Sequence, residues 1–447
     1  MLKHASAVAM GLTLALSTLA HGQFVGGQGA QIADGLYDPI SVSHPSCAPL
    51  APPAGPTIQI GPANADTLPS TILNAASGTV IVLEDGVYTF SFQDEASRRL
   101  RFETPNVTLT SLSQDATRVI IDGEYLTNEM AYITASNITI SHITFTRAVD
   151  HLIHLTPTTG VNSTNVKLYG LRLIDSGEQF IKGNPNPGRT AWPDDTEVAC
   201  SVFMLTDDGR PNVSTAVNGC YTGGIDVHGG RDWHVHHNYF GGIYCKNGSL
   251  AEHAVHFWRG ARDTLVEQNI IVNGARGIGF GLASTGETRP YNDNPCPGAN
   301  GGYVGHHGGI IRGNIIYAEH AYYDAGISLE QACGVEVLHN TVFETSDASN
   351  GFSSIEYRYD NTDALIQNNI TRLIRQRNNG SATTLNNIQD AKSSLFVRPD
   401  ARKLGFQLRA SATSAVNQGA ATANAGVDLE GNARNNGNPD IGALERQ

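Results

Sequence analysis

The chain has 447 residues, 40% of them hydrophobic and only 16% charged, with 48 glycines, 4 methionines and 3 tryptophans. Ordinary apolar content with few charges excludes an intrinsically disordered chain, and abundant Gly, Asn, Thr, Ile and Val excludes a helix bundle. A formal net charge of −13 disfavours nucleic acid as the partner but leaves room for an anionic sugar held by local cations.

Met1 to His4 lead into an apolar run that ends at Ala20, with small Gly22 just beyond. One cation, a short apolar stretch and small residues predict a secretory signal peptide over 1–22 rather than a membrane-spanning anchor. No comparable run follows, so the mature chain is expected to be secreted, extracellular or periplasmic, with no membrane anchor. Residues 23–77 read as an N-terminal cap region. The cysteines, Cys47, Cys200, Cys220, Cys245, Cys296 and Cys333, are even in number and permit three disulfides in an exported protein, with the pairing open.

From there a pattern recurs: apolar-x-apolar-x-x-(often Asn)-x-apolar. It runs from Val107–Leu112 and Ile138–Ile143 through Val166–Leu171 and Val198–Phe203. Later copies place Asn238, Asn269, Asn314, Asn340 and Asn369 at the same point. Period-2 alternation means strands, and a fixed bend between short strands means stacked coils. An all-β, single-stranded solenoid of about ten coils follows, a parallel β-helix over 78–377. Asn tolerates left-handed backbone, and stacked amides bond from coil to coil. Residues 378–447 read as an irregular C-terminal segment covering the last coil.

With these copies the chain resembles, over roughly 78–372, the secreted right-handed parallel β-helix proteins, the superfamily of pectate lyases, chondroitinase B-like and alginate lyases and several polysaccharide hydrolases. Asp428–Arg434 and Asn438–Glu445 resemble an ending common in exported bacterial β-helix proteins. The resemblance implies the fold and adds its right hand; the scaffold hosts several chemistries.

Each unit carries a further short strand before the repeat, as in Ile153-His154-Leu155, Ile225-Asp226-Val227-His228 and Val255-His256-Phe257-Trp258. Stacking these gives one outward column: Thr134, His154, Lys182, Asp226, His256, Gly279, Ser328, Glu356. A second column runs Ser136, Thr156, Asn184, His228, Trp258, Gly281, Glu330, Arg358. Asp226, His228, His256 and Trp258 are expected to share one exposed groove, with the two glycines clearing the next coil for a sugar ring. Insertions at about 183–197, 206–223, 241–252 and 284–308 are expected to build its walls.

Such a groove predicts an enzyme cleaving an acidic, uronate-containing polysaccharide by β-elimination. Lys182 or His256 would be the base, Arg259 would pair with the carboxylate, and Asp226 would hold Ca²⁺ or orient the base. His154, Asn184, His228, Trp258, Glu330, Glu356 and Arg358 would bind substrate. The alternatives are an inverting hydrolase using Glu330 and Glu356 roughly 8 Å apart, a uronate epimerase, or a non-catalytic glycan-binding β-helix.

Overall fold

The computed structural model describes residues 47–51, 53–283, 287–299, 302–345, 353–401, 404–434 and 437–447. The predicted signal peptide and the cap region before Cys47 lie outside the described residues. Three long parallel sheets, of 14, 10 and 10 strands, carry almost the whole chain. Each coil visits them in turn. The first sheet runs from Thr57–Ile60 and Val80–Leu83 to Asp363–Gln367 and Ser381–Leu385, the second from Gly86–Tyr88 to Ile370–Thr371, and the third from Leu100–Phe102 to Ile374–Arg377. The chain is a right-handed parallel β-helix, the hand that parallel crossovers take.

The coils extend beyond 78–377 at both ends. Thr57–Ile60 already pairs with Val80–Leu83, and Ser381–Leu385 pairs with Asp363–Gln367. The alternation of Ile58 and Ile60 is too short to stand out, because Pro62–Thr67 and Leu68–Leu73 turn helical directly after it. Leu68 and Ile72 of the second helix are buried against the start of the core.

Inside, one apolar position per strand stacks on the next coil. Ile140, Leu168, Val198 and Val235 are fully buried in the first sheet, and Phe203 stacks on Phe240 at 4.4 Å in the second. The corner between these sheets holds the asparagines. Asn238, Asn269, Asn314, Asn340, Asn369 and Asn387 each receive or pass an amide bond at 2.9–3.0 Å to the next coil. The left-handed residue is not the Asn but the one before it: His237, Gln268, Gly313, His339, Asn368 and Asn386 have φ between 50° and 63°. The asparagines are kept for their amides, which satisfy backbone groups that the sharp corner strips from the ladders.

The C-terminal segment lies along the side of the solenoid. Phe396, Phe406, Leu429, Ile441 and Leu444 pack on the outward residues Met204, Tyr239, Ile270 and Tyr317 of the second sheet. Arg434 pairs with Glu445 at 2.6 Å, fully buried, and Gln268 donates to the Asp428 carbonyl at 2.7 Å. The expected cover of the last coil is therefore a lateral clasp. The second sheet's outer face is apolar and needs the cover more than the coil end does.

Asn314→Ala removes a buried amide with partners on both sides. It is expected to cost ~1–3 kcal/mol for each polar group left unpaired, read as a lowered urea midpoint. Asn387→Ala, half-exposed at the ladder's end, is expected to cost distinctly less.

Candidate functional site

On the third sheet, His154, Lys182, Asp226, His256, Gly279, Ser328 and Glu356 stand in one row of paired residues. His228 pairs with Trp258, Gly281 with Glu330, and Glu330 with Arg358. The rows start two residues off the sequence alignment: His154 pairs with Tyr132, not Thr134. Thr134 follows the end of the strand Glu129–Ile133, where period-2 counting from later coils overshoots.

The row is outward-facing, yet its centre is not exposed. Lys182 and Asp226 are each 4% exposed and His256 is 1% exposed. The Lys182 ammonium bonds Asp226 Oδ2 directly and lies 3.5 Å from the Tyr221 hydroxyl. The Trp258 indole N–H donates to Asp226 Oδ1 at 2.7 Å. His228 Nε2 lies 3.5 Å from Asp226 Oδ2, and His256 Nδ1 lies 3.6 Å from Oδ1. Burial opposes the charge on Lys182, but the Asp226 carboxylate outweighs it and holds the ammonium above the ordinary lysine range. Burial likewise opposes the charge on Asp226, and Lys182, His228 and His256 together hold its carboxyl well below the carboxylate range. Lys182 is thus kept charged, which removes it as a base at neutral pH. His228 differs: burial, reinforced by the Lys182 ammonium, pushes its imidazole down to about 4, so it is neutral at pH 7.

Trp258 and the two glycines play other parts than a cleared sugar platform. The indole ring has His256 parallel at 5.6 Å, His228 edge-on at 4.5 Å and the Arg259 guanidinium at 4.6 Å. Gly279 is overlain by the His253 imidazole, whose Nε2 would sit 2.7 Å from a Cβ there. A Cβ on Gly281 would meet the Glu330 carbonyl at 1.8 Å. Both glycines admit neighbours of the protein itself.

Arg259 stands at the strand's end with φ +57°, a conformation that costs an arginine about 1–2 kcal/mol. It is half-buried, its Nε has no hydrogen-bond partner, and no carboxylate pairs with it among the described residues. His154 bonds Glu129 through Nδ1 at 2.5 Å and Asn184 through Nε2 at 3.2 Å, beside the central cluster. Glu330, two coils beyond His256, and Glu356 and Arg358, three coils beyond it, are gathered elsewhere. Arg358 reaches Glu330 at 3.3 Å and Glu356 at 3.7 Å, and Arg377 takes Glu356 at 2.8 Å. One guanidinium bridging both carboxylates fills the gap that an inverting hydrolase keeps for water and sugar.

Sequence reasoning missed a third outward row, three residues before the first: Glu129, His151, Gln179 and His253. Strict alternation would turn Leu152, Phe180 and Ala254 outward, but these are buried. Two consecutive apolar residues at this point, as in Leu152-Ile153 and Phe180-Ile181, are the signal that the strand bends. Tyr221, in an insertion, gave no periodic signal.

The insertions flank the third sheet on both sides, and each side is tied. Before the strands, Cys220–Cys245 joins 206–223 to 241–252, and Arg210 lies over Tyr244 at 3.8 Å. After them, Arg289 grips Asp194 at 2.6 and 3.0 Å and the Gly229 carbonyl at 2.8 Å. Cys296–Cys333 anchors the same side, and Cys47–Cys200 closes the third pair.

A calcium ion does not fit Asp226. Oδ2 accepts a hydrogen bond from the Lys182 ammonium and Oδ1 one from the Trp258 indole, and the lysine ammonium occupies the place a hard cation would need. No helix among the described residues is long and apolar enough to cross a membrane.

No protein-family model matches the chain, and no curated protein matches it in sequence. Among solved structures it is similar to pectate lyase Pel9A, at 13% identity and a TM-score of 0.48, covering 85% of this chain and 90% of that one. It is similar to an alginate lyase from Paenibacillus sp. at 15% identity and 0.42, covering 73% and 97%. It is also similar to PfbA, a surface adhesin of Streptococcus pneumoniae, at 13% and 0.46, covering 76% and 89%. Likeness at this level bears on neither substrate nor reaction.

Lys182→Met leaves a buried carboxylate uncompensated and is expected to destabilise the fold by ~3–5 kcal/mol. Lys182→Met with Asp226→Asn should recover much of that loss in chemical denaturation; equal loss in both variants would show that the pair's charge is not what matters.

Proposed function

We propose that the protein acts on an acidic, uronate-containing polysaccharide by β-elimination. The observation that carries this reading is Arg259: a half-buried arginine without a carboxylate of its own, held in a costly backbone conformation at the rim of a walled sheet. A free guanidinium there suits a substrate carboxylate, which it meets as a bidentate pair.

In this reading Arg259 binds and neutralises the uronate carboxylate, which acidifies the carbon beside it. His228, neutral and partly exposed, takes the proton from that carbon. Its Nε2 faces Asp226, which leaves Nδ1 to accept. The C–H electrons form the new C=C bond as the neighbouring C–O glycosidic bond breaks. The leaving oxygen then takes a proton from the Tyr221 hydroxyl, which sits beside the Lys182 ammonium. Lys182, Asp226 and Trp258 position these groups, and His256 packs behind them. The role of base thus moves from Lys182 or His256 to His228, and no calcium is assigned.

Incubation with pectate, alginate and chondroitin sulfate is expected to yield ultraviolet-absorbing unsaturated ends from one of them. His228→Ala should lower kcat about a hundredfold or more with a smaller change in KM. Arg259→Ala should weaken binding of the acidic polymer and spare a neutral glycan. Because His228 must be unprotonated to accept a proton, kcat/KM should fall as pH drops through about 4. Polymer bound without any unsaturated product would make the chain a glycan-binding β-helix. Activity lost in Glu330→Gln but kept in His228→Ala would return the reading to hydrolysis.

A further inference from the structure

We infer that Glu252, His253 and His256 form a binding site for a divalent transition-metal ion of zinc's class. One ligand atom from each lies within 4.8 Å of the others. The inference does not rest on the elimination reading, in which neither Glu252 nor His253 has a role.

Proximity alone would say little. The second observation is a set of orphaned polar atoms. His253 is 3% exposed, and neither of its ring nitrogens has a hydrogen-bond partner. Gln179 is fully buried, and neither its amide oxygen nor its nitrogen has one. Both side chains belong to the row missed in the sequence, and they lie to either side of Gly223. A Cβ at Gly223 would stand 3.0 Å from the Glu252 Cβ and 3.6 Å from the Gln179 Cγ. Leaving a buried polar group unpaired costs ~1–3 kcal/mol, and both His253 nitrogens are in that state beside Glu252 and His256. A bound ion gives one His253 nitrogen the partner it lacks.

His256 is held in the manner of a metal ligand. Its Nε2–H donates to the Gly281 carbonyl at 2.9 Å, which fixes the tautomer with the lone pair on Nδ1. The rings of His253 and His256 lie 4.5 Å apart, tilted by 41°. Glycine at 279 makes room for the His253 ring. Two imidazoles and a carboxylate suit zinc, cobalt or nickel rather than calcium or magnesium, which prefer oxygen alone. Ligand atoms around tetrahedral zinc stand ~3.4 Å apart, so the three side chains need only adjust by about an ångström. The Glu252 side chain is 22% exposed and gives the ion its way in; Arg276, 3.9 Å from it, is drawn aside by Asp324 at 3.2 Å.

The test uses the full chain, stripped with a chelator and titrated with Zn²⁺ by calorimetry and with Co²⁺ by visible absorption. Expected are one ion per chain at micromolar affinity or better, and the visible bands of nitrogen-ligated Co²⁺. Glu252→Gln and His253→Gln should each weaken binding tenfold or more. His234→Gln, in the separate cluster of surface histidines on the first sheet, should leave it unchanged. Absence of stoichiometric binding in the wild type, or binding lost with His234→Gln but kept with Glu252→Gln, overturns the site. Should His253→Gln fail to fold, Glu252→Gln decides, since its side chain is partly exposed. Because the readout is metal and not product, a failed elimination assay leaves this result standing, and the reverse.

Discussion

A charge taken out of water must find its opposite, and that constraint orders the working face of this solenoid. The insertions close over the third sheet until outward side chains are as buried as the core. Lys182 and Asp226 tolerate this only as a pair, because an isolated charge would cost far more than any contact nearby returns. Once paired, Asp226 has two oxygens to share, and they fix the Trp258 indole and face both His228 and His256. The chemistry of the face follows from that pairing. It keeps lysine protonated and leaves His228 as a neutral, partly exposed imidazole.

The strand rows were legible because parallel stacking converts sequence spacing directly into neighbourhood. A residue one before or after an inward Ile or Val alternates outward, so Lys182, Asp226 and His256 fell into one row from the sequence alone. Period-2 counting fails where the strand bends. There the inward pair Leu152-Ile153 hides His151, and Ala254-Val255 hides His253. The asparagine column was legible as a corner, but which residue bends was not: the Asn amide is the visible signal, and the left-handed backbone belongs to whatever precedes it.

What the sequence could not supply was depth. Spacing places Trp258 beside two glycines but not the His253 ring above Gly279, which arrives from another row. It places Glu330 and Glu356 on adjacent coils but not the guanidinium of Arg358 between them. Insertions have no repeat to anchor them, so Tyr221, Asp194 and Arg289 acquire neighbours only in three dimensions. Arg259 is the intermediate case: its place at a strand end was readable, while its lack of a carboxylate partner among the described residues is a property of everything around it.

The disulfides join Cys47 to Cys200, Cys220 to Cys245 and Cys296 to Cys333, across 153, 25 and 37 residues. Numbered along the chain, the cysteines pair first with second, third with fourth and fifth with sixth. A polypeptide threading through a translocation pore from its N-terminus would present each thiol with its native partner as the next one to emerge. Oxidation in order of appearance then yields the native set without reshuffling by an isomerase. The first bond waits until the coils through Cys200 have come out, so the earliest cysteine stays reduced the longest. A heterologous host with a strong thiol oxidant and a weak isomerase should therefore suffice to make the protein.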